Sequence, residues 1–374
     1  MSNLNLEHTI VHLGSHGGNI GDNVSHEYVQ GALSREGGFR FLNLEIREFY
    51  VNDRRKTFIR DFIPLVREMQ GGLIGGGAYL APLFAETASG TTLDFCDSDL
   101  VGLESPLVVN AVGMNTMRNV DPRAVEKLRT FLQGLSDSDR PVHIFLRSDG
   151  SEDSFKEMIG DPNDFRVGFV PDPGFGIHRH GELPSGLGLS VGDYVVINLA
   201  GDALSNRFAS EAEVTALVKT MRDFIRIVDS RVVFIAHIAQ DFGLIGQVLA
   251  GIDDWRSRSK VVVAPLVQSY GAADLALSVY RNSRGVIANR YHSVVLNIGE
   301  PVPFLAIVNS PNVAYTIRDF TADALRFPST SGAEVVERMS DAQVQKIGVR
   351  TSHVEGIRRS LDSHMETITS IFKG

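Results

Sequence analysis

"VIANRYHSVVLNIGEPVPFLAIV", residues 286–308, holds two apolar runs separated by a polar break and a short helical pattern. The runs are nearly continuous in hydrophobicity, as strands buried on both faces of a parallel sheet are. Between them, Val294, Val295 and Ile298 fit one face of a helix stopped by Gly299 and Pro301. The stretch therefore reads as strand, helix, strand. Arg290 and His292 fall where the first strand gives way to the helix.

Working outward, the same alternation covers most of the chain, which is the pattern of a parallel sheet with helices on both faces. In the first half it predicts strands over 9–13, 72–74, 107–112, 142–146 and 167–170, and helices over 24–33 and 122–132. The second of these helices is opened by Asp121-Pro122, a cap residue and a proline suited to the first turn. In the second half strands are predicted over 194–199, 231–237, 260–263, 285–288 and 304–308, and Val214, Leu217, Met221, Ile225 and Val228 mark one helical face. The segment 171–193 is dense in Gly and Pro and lacks periodicity, so it reads as the linker. The expectation is an α/β protein of two Rossmann-like domains, 1–180 and 181–350. An amphipathic helix over 351–374, with Val354, Ile357, Leu361, Met365 and Ile368 on one face, would cross back to brace the first domain. No internal repeat or low-complexity segment is found.

Length and composition agree with this division. A chain of 374 residues exceeds the size at which one core usually stops growing. With 43% hydrophobic and 22% charged residues it is an ordinary globular composition. A net charge of -9 argues against nonspecific nucleic-acid binding. The single cysteine, Cys96, excludes an intrachain disulfide and a multi-cysteine metal site. The start, MSNLNLEHTIVHLG, has no basic run followed by a long apolar one, and no long uncharged apolar stretch occurs. The expected location is cytoplasmic.

In open parallel sheets ligands bind beyond the carboxyl ends of the strands, so the loops after strands are where chemistry is sought. After the first strand comes "GSHGGNIGDN", residues 14–23, where Asn19 and Asp22 offer polar contacts near a helix start. It matches neither the dinucleotide fingerprint nor a P-loop, so ligand contact and a capped structural turn both stay open. "LIGGGAYL" sets Gly75, Gly76 and Gly77 after an apolar run, suited to backbone contact with a sugar or anion, or to tight packing. Arg147, followed by Ser148 and Asp149, can hold an anion or a neighbouring carboxylate. Asp172, between Pro171 and Pro173, fits a general acid or base, or a turn. His237, with Asp241 four residues on, fits an orienting pair or a core histidine.

Arg290 and His292 have the sharper reading. Arg offers a planar fork for carboxylate or phosphate, the helix start adds partial positive charge, and imidazole moves protons near neutral pH. Two such groups at a sheet end need an anionic partner.

Taken in order, "GGNIGDN", "LIGGGAYL", "FLRSDGS", "VPDPGF", "AHIAQD" and "NRYHSVVLNIGEPVPFLAI" resemble the polysaccharide pyruvyltransferase family over residues 10–310. The resemblance implies a GT-B-like arrangement with an inter-domain cleft. It also implies transfer of a pyruvyl group from phosphoenolpyruvate to sugar hydroxyls of a polysaccharide or oligosaccharide precursor, closing a cyclic ketal. The family's Arg-x-His motif falls on Arg290 and His292, with His292 the proton donor and Asp22 or Asp172 the bases. Arg290, His292, Arg147 and His237 are then the donor side, and Asn19, Asp22, Gly75, Gly76 and Gly77 the acceptor side. Phosphoenolpyruvate is a co-substrate, and no cofactor or metal is expected; "HRH" at 178–180 reads as a chance cluster in a linker. Implied partners are phosphoenolpyruvate and a saccharide acceptor, with peripheral membrane association if that acceptor is lipid-linked and self-association left open; no nucleic acid is expected. One departure stands out: the family often carries a lysine where this chain reads "VNSPNVAY", with Asn312 near the expected place and Arg318 six residues later. A nucleotide-sugar glycosyltransferase and a catalytically silent carbohydrate-binding protein are the alternatives.

Overall fold

The computed structural model describes residues 8–53, 55–114, 120–177, 181–268, 271–298, 300, 302–320, 323–325, 329–342 and 347–374. The expected stop at Gly299 and Pro301 and the "HRH" at 178–180 lie outside the described residues. The chain divides into two compact units: 1–17, 22–177 and 357–374 form the first, and 18–21 with 178–356 form the second. The division after 177 is close to the expected 180. The four residues 18–21 were assigned by sequence to the first domain and group instead with the second.

The first unit is a six-stranded parallel sheet in the order β2-β1-β3-β4-β5-β6. Its strands are β1 (Thr9–Gly14), β2 (Arg40–Glu45), β3 (Gly71–Gly75), β4 (Leu107–Val112), β5 (Val142–Arg147) and β6 (Val167–Val170). The helices between them are α1 (Ile20–Gly37), α2 (Ile63–Glu68), α3 (Pro122–Ser136) and α4 (Ser151–Met158). β2 escaped the sequence reading because it is the edge strand and no residue of it is fully buried. Its apolar content therefore lacks the density that marks a central strand. One core packs Leu13, Phe58, Phe62, Phe95, Val109 and Leu132. Each such side chain contributes roughly 1.5–3 kcal/mol by leaving water.

The second unit repeats the plan in the order β12-β11-β10-β7-β8-β9, again parallel throughout. The strands are β7 (Tyr194–Ile197), β8 (Arg231–Phe234), β9 (Val261–Val263), β10 (Gly285–Ala288), β11 (Phe304–Ile307) and β12 (Asp323–Leu325). The helices are α5 (Leu204–Arg207), α6 (Glu211–Ile227), α7 (Asp241–Ala250), α8 (Trp255–Lys260), α9 (Ala272–Arg281), α10 (Tyr291–Ile298), α11 (Pro311–Phe320) and α12 (Gly332–Ala342). Leu217, Met221, Phe224 and Ile225 of α6 pack with Ile197, Phe234, Ile287 and Leu305 of the strands.

The last helix, α13 (Ile347–Lys373), belongs to the first unit from residue 357 onward. Met365, Ile368 and Phe372 pack there on Ile10, Leu33, Phe39 and Val108, and Arg358 donates to the Phe175 carbonyl at 2.8 Å. Among the described residues, no helix is long and apolar enough to cross a membrane.

Candidate active site

At the carboxyl edge of the second sheet two buried asparagines join neighbouring strands. Asn198, just after β7, accepts the Arg290 N–H at 2.9 Å and donates to the Ile235 carbonyl beyond β8 at 3.0 Å. Asn289, just after β10, accepts the Ala200 N–H at 2.7 Å and donates to the Ile307 carbonyl of β11 at 3.3 Å. Four strand ends are thereby held in register around the start of α10.

Arg290 projects into this frame and is only 5% exposed. Its Nε donates to Asp241 Oδ2 at 2.8 Å, while Nη2 donates to Asp241 Oδ1 at 2.5 Å and to Asp202 Oδ1 at 2.6 Å. The fork expected to face a donor anion is thus filled by Asp241. Buried guanidinium needs a matched countercharge, so of the two readings open for His237 the orienting pair with the Asp241 carboxylate gives way to the core histidine. Asp241 also accepts the backbone N–H groups of His237 at 2.9 Å, Ile238 at 3.2 Å and Gly201 at 2.9 Å. Asp202, missed by sequence reading, is shared with Arg207 at 3.2 Å. Burial alone would lower the Arg290 pKa, but the bonds and charge of Asp241, then of Asp202, raise it above its ordinary value.

His237 is fully buried, and its Nε2 lies 2.8 Å from the Tyr280 hydroxyl. Burial first, then the Arg290 charge, pushes its pKa down to about 3, so the ring is neutral. His292, in the first turn of α10, is 5% exposed and packs its ring against Gly21. The segment 18–21 is anchored in the same unit by Ile20 N–H on the His237 carbonyl at 3.2 Å and by Gln268 on the Gly18 carbonyl at 2.8 Å. Asn19 accepts the Gly21 N–H at 3.0 Å, a turn within that segment. Asn312, where a lysine was expected, accepts from Ser310 Oγ at 2.7 Å and from the Val313 N–H at 3.0 Å, so its side chain is committed within the first turn of α11. Arg318 lies over the Tyr315 ring at 4.3 Å.

The first unit has a similar device. Arg147 ends β5, is 5% exposed, and binds Asp149 at 2.8 Å and Asp172 at 3.3 Å. Asp149 accepts from Ser151 Oγ at 2.6 Å, and Asp172 from Ser25 Oγ at 3.0 Å and the Gly174 N–H at 2.7 Å. The resemblance gives Arg147 to a donor anion and Asp172 to base catalysis, and the alternatives open beside these roles, a neighbouring carboxylate and a turn, are what the structure holds. In the structure they neutralise each other in a buried network. Asp22 is half-buried in the first turn of α1, and its charge adds to burial in raising the Tyr50 and Tyr79 phenols.

The glycine loop seats side chains of its own unit. A methyl on Gly76, whose φ is +73°, would come within 2.8 Å of His26 Cε1, and one on Gly14 within 2.6 Å. Gly77, with φ +59°, lies against the Tyr79 ring, while a Cβ on Gly75 would meet His12 Nε2 only at 3.5 Å. The tight-packing alternative thus accounts for Gly76 and Gly77. His26 stands in a triangle with His12 and His16, ring centroids 4.8–4.9 Å apart, which sequence reading missed because "HLGSH" and His26 show their closeness only when β1 and α1 pack. Burial, then the neighbouring rings His26 and His16, holds His12 well below the ordinary imidazole range. Among the described residues, no group of three or more His, Cys, Asp and Glu is placed to hold a metal ion.

Five of the quoted segments therefore meet: "AHIAQD" with "NRYH" through Asp241 and Arg290, "GGNIGDN" with "NRYH" where the Gly21 backbone lies against His292, and "FLRSDGS" with "VPDPGF" through Arg147 and Asp172.

Scanned against protein families the sequence matches none, and no curated protein matches it. Solved structures do match in fold. A glycosyltransferase from Rickettsia africae is 9% identical, with 98% of each chain covered and a TM-score of 0.58. The UDP-GlcNAc 2-epimerase of Methanocaldococcus jannaschii is 9% identical, covering 90% of this chain and 93% of its own, at 0.55. An OtsA structure is 11% identical, covering 98% and 99%, at 0.55. At these identities the likeness bears on architecture, and it shows a GT-B-like fold of two parallel-sheet α/β domains.

Proposed function

We propose that this chain is a transferase acting on sugars, moving a pyruvyl group from phosphoenolpyruvate to saccharide hydroxyls. The observation that carries the reading is the meeting of five of the six segments: residues far apart in sequence, quoted for their family resemblance, meet as Arg290 with Asp241, His292 with Gly21 and Arg147 with Asp172. In this reading the proton of His292 goes to the methylene carbon of phosphoenolpyruvate, making the adjacent carbon electrophilic. One sugar hydroxyl adds there and returns its proton to His292. A second adds as the carbon–oxygen bond to phosphate breaks, and its proton leaves with the inorganic phosphate, giving a cyclic ketal. Arg290 then acts by holding Asp241, Asp202 and the start of α10 in place, with Nη1 as its uncommitted edge. Asn309, between β11 and α11, supports a ligand at this edge: both of its amide atoms are buried without a hydrogen bond, and such groups normally have partners.

A second reading, a nucleotide-sugar donor, is favoured by the likeness to glycosyltransferases and by the neutralisation of Arg290, which leaves less positive charge for a carboxylate and a phosphate together. One assay separates the two. Incubation with phosphoenolpyruvate and an oligosaccharide is expected to release phosphate and add the mass of a pyruvyl ketal to the sugar, and His292→Ala is expected to abolish both. A melting temperature raised by a nucleoside diphosphate, with no phosphate release from phosphoenolpyruvate, would replace this reading with the second.

A further inference from the structure

Gly76 and Gly77 are filled by His26 and Tyr79, so the loop assigned to the acceptor spends its bare backbone on its own unit. A different feature, wholly within the second unit, has the chemistry a sugar needs. Between α5, the first turns of α6 and the outer face of α7 lies an open cavity of about 620 Å³. Leu204, Phe208 and Val214 give it an apolar floor, and Phe208 is 7% exposed. Around the floor stand Ser205, Thr215 and Gln247, all exposed, with no hydrogen bond from their side chains to the described residues. Ser210 caps α6 by accepting the Glu213 N–H at 3.4 Å, and Glu213 reaches back to the Ala209 N–H at 3.0 Å. The earlier N–H groups of that turn have no partner inside the helix.

Charge decides the class of occupant. The lining has no Lys, Arg or His, and its one formal charge is Glu211. The guanidiniums of the neighbouring helices are committed elsewhere: Arg207 to Asp202, with Nε on its carbonyl at 3.0 Å and Nη2 on its carboxylate at 3.2 Å, and Arg222 to the Val248 and Gln247 carbonyls at 3.2 and 2.6 Å. A phosphate here would meet a carboxylate and no cation. An acyl chain would strand the hydroxyls, the amide and Glu211. A neutral polyhydroxyl compound satisfies both parts, its C–H face on the floor and its hydroxyls on the rim. The cavity also abuts the Arg290 network through α5, because Leu204 and Ser205 line it while Arg207 of the same turn holds Asp202. Ala203, which leads into that turn, is held at φ +50°, a strained geometry for a residue with a side chain.

We propose that this cavity is a binding site for a neutral oligosaccharide, beside the donor edge of the second unit. The inference rests on the reading that a saccharide accepts the transferred group. It is tested without turnover. Saturation-transfer NMR of the full chain with maltotriose, cellotriose or N,N',N''-triacetylchitotriose is expected to show transfer for at least one at about 10 mM, the regime of weak saccharide binding. Thr215→Trp, which fills the cavity from an exposed position, is expected to weaken that binding about tenfold or more, and Gln247→Leu to weaken it less. No transfer with any of the three, or transfer unchanged in Thr215→Trp at an unchanged melting temperature, would overturn the proposal. If Thr215→Trp lowers the melting temperature, unchanged transfer in Gln247→Leu and in Ser205→Trp overturns it instead. Phosphate release from phosphoenolpyruvate is scored separately. Binding without release removes the donor reading alone, and release without binding removes the cavity alone.

Discussion

Gly21 lies so close to His292 that a methyl group on its α-carbon would overlap the Cβ and Cγ of the imidazole. The conflict is steric, since the obstructing atoms are the root of a buried ring, which cannot swing aside as the tip of a long side chain can. Gly21→Ala is therefore expected to cost about 1–3 kcal/mol in urea unfolding, the range of overpacked cores. It should also displace His292 and lower transfer activity. His292→Ala makes room, so the double variant should regain stability but not activity. Equal losses in the single and double variants would show that the two residues are not coupled.

Arg290 and Asp241 predict a different kind of cycle. Both side chains are almost fully buried, so removing Arg290 strands the Asp241 carboxylate, and removing Asp241 leaves Arg290 with the partly exposed Asp202 as its one remaining carboxylate. Arg290→Met and Asp241→Leu are each expected to lose about 3–5 kcal/mol, and the double variant to recover much of it because no charge is stranded. Arg290→Lys keeps the charge but cannot make the two-point fork, so it should fall between wild type and Arg290→Met. Chemical denaturation of the four variants beside the wild type checks this. Near-native stability of Arg290→Met would mean that the guanidinium is not the brace of the strand ends.

How far the sequence carries can be read from these same residues. The strand-helix alternation placed both sheets and all but two strands, because buried parallel strands are continuous apolar runs and their loops are polar. β2 was lost because it is a half-exposed edge, and β12 because Asp323-Ala324-Leu325, unlike the equally short Val261–Val263 of β9, holds no β-branched residue. Arg290 and His292 were legible as chemistry-bearing residues. Their partners were less so: Asp202 sits in "NLAGD", an ordinary loop by composition, and only the pairing of β7 with β10 brings it to Arg290. The histidine triangle and the ring-seating role of Gly21, Gly14 and Gly76 are long-range packing facts with no local signature.

Gly76 couples two constraints that a single substitution would violate. Its φ is +73°, where a side chain is strained, and a Cβ there would stand 2.8 Å from His26 Cε1. Gly76→Ala should therefore cost more than an ordinary glycine replacement, on the order of 2–3 kcal/mol. Gly102, also at positive φ (+72°) but with open space around it, separates the contributions. Gly102→Ala should lose only the backbone part, about 1 kcal/mol. Thermal melting of the two variants checks the difference, and equal losses would mean that the His26 contact is readily relieved.

Histidine burial sets the acid limit of the fold. His237 is depressed to about 3, by burial and then Arg290, and His364 to about 4 by burial, while His12 and His16 are also lowered, chiefly by burial. In the unfolded chain these rings titrate near 6.5. Below that value the unfolded state takes up protons that the folded state refuses, so stability falls as pH falls. The loss begins near pH 6.5 and continues toward 4 for His364 and 3 for His237, where the folded forms themselves protonate. Unfolding midpoints between pH 7 and 4.5 are expected to drop steadily. His364 is a clean probe because it lies on the terminal helix, its Nε2 2.8 Å from Asn110 Oδ1, apart from the Arg290 network. His364→Gln can keep that hydrogen bond without a titrating group, so its stability should fall less steeply with acid than the wild type's. Parallel curves for the two proteins would show that His364 does not contribute to the acid limit.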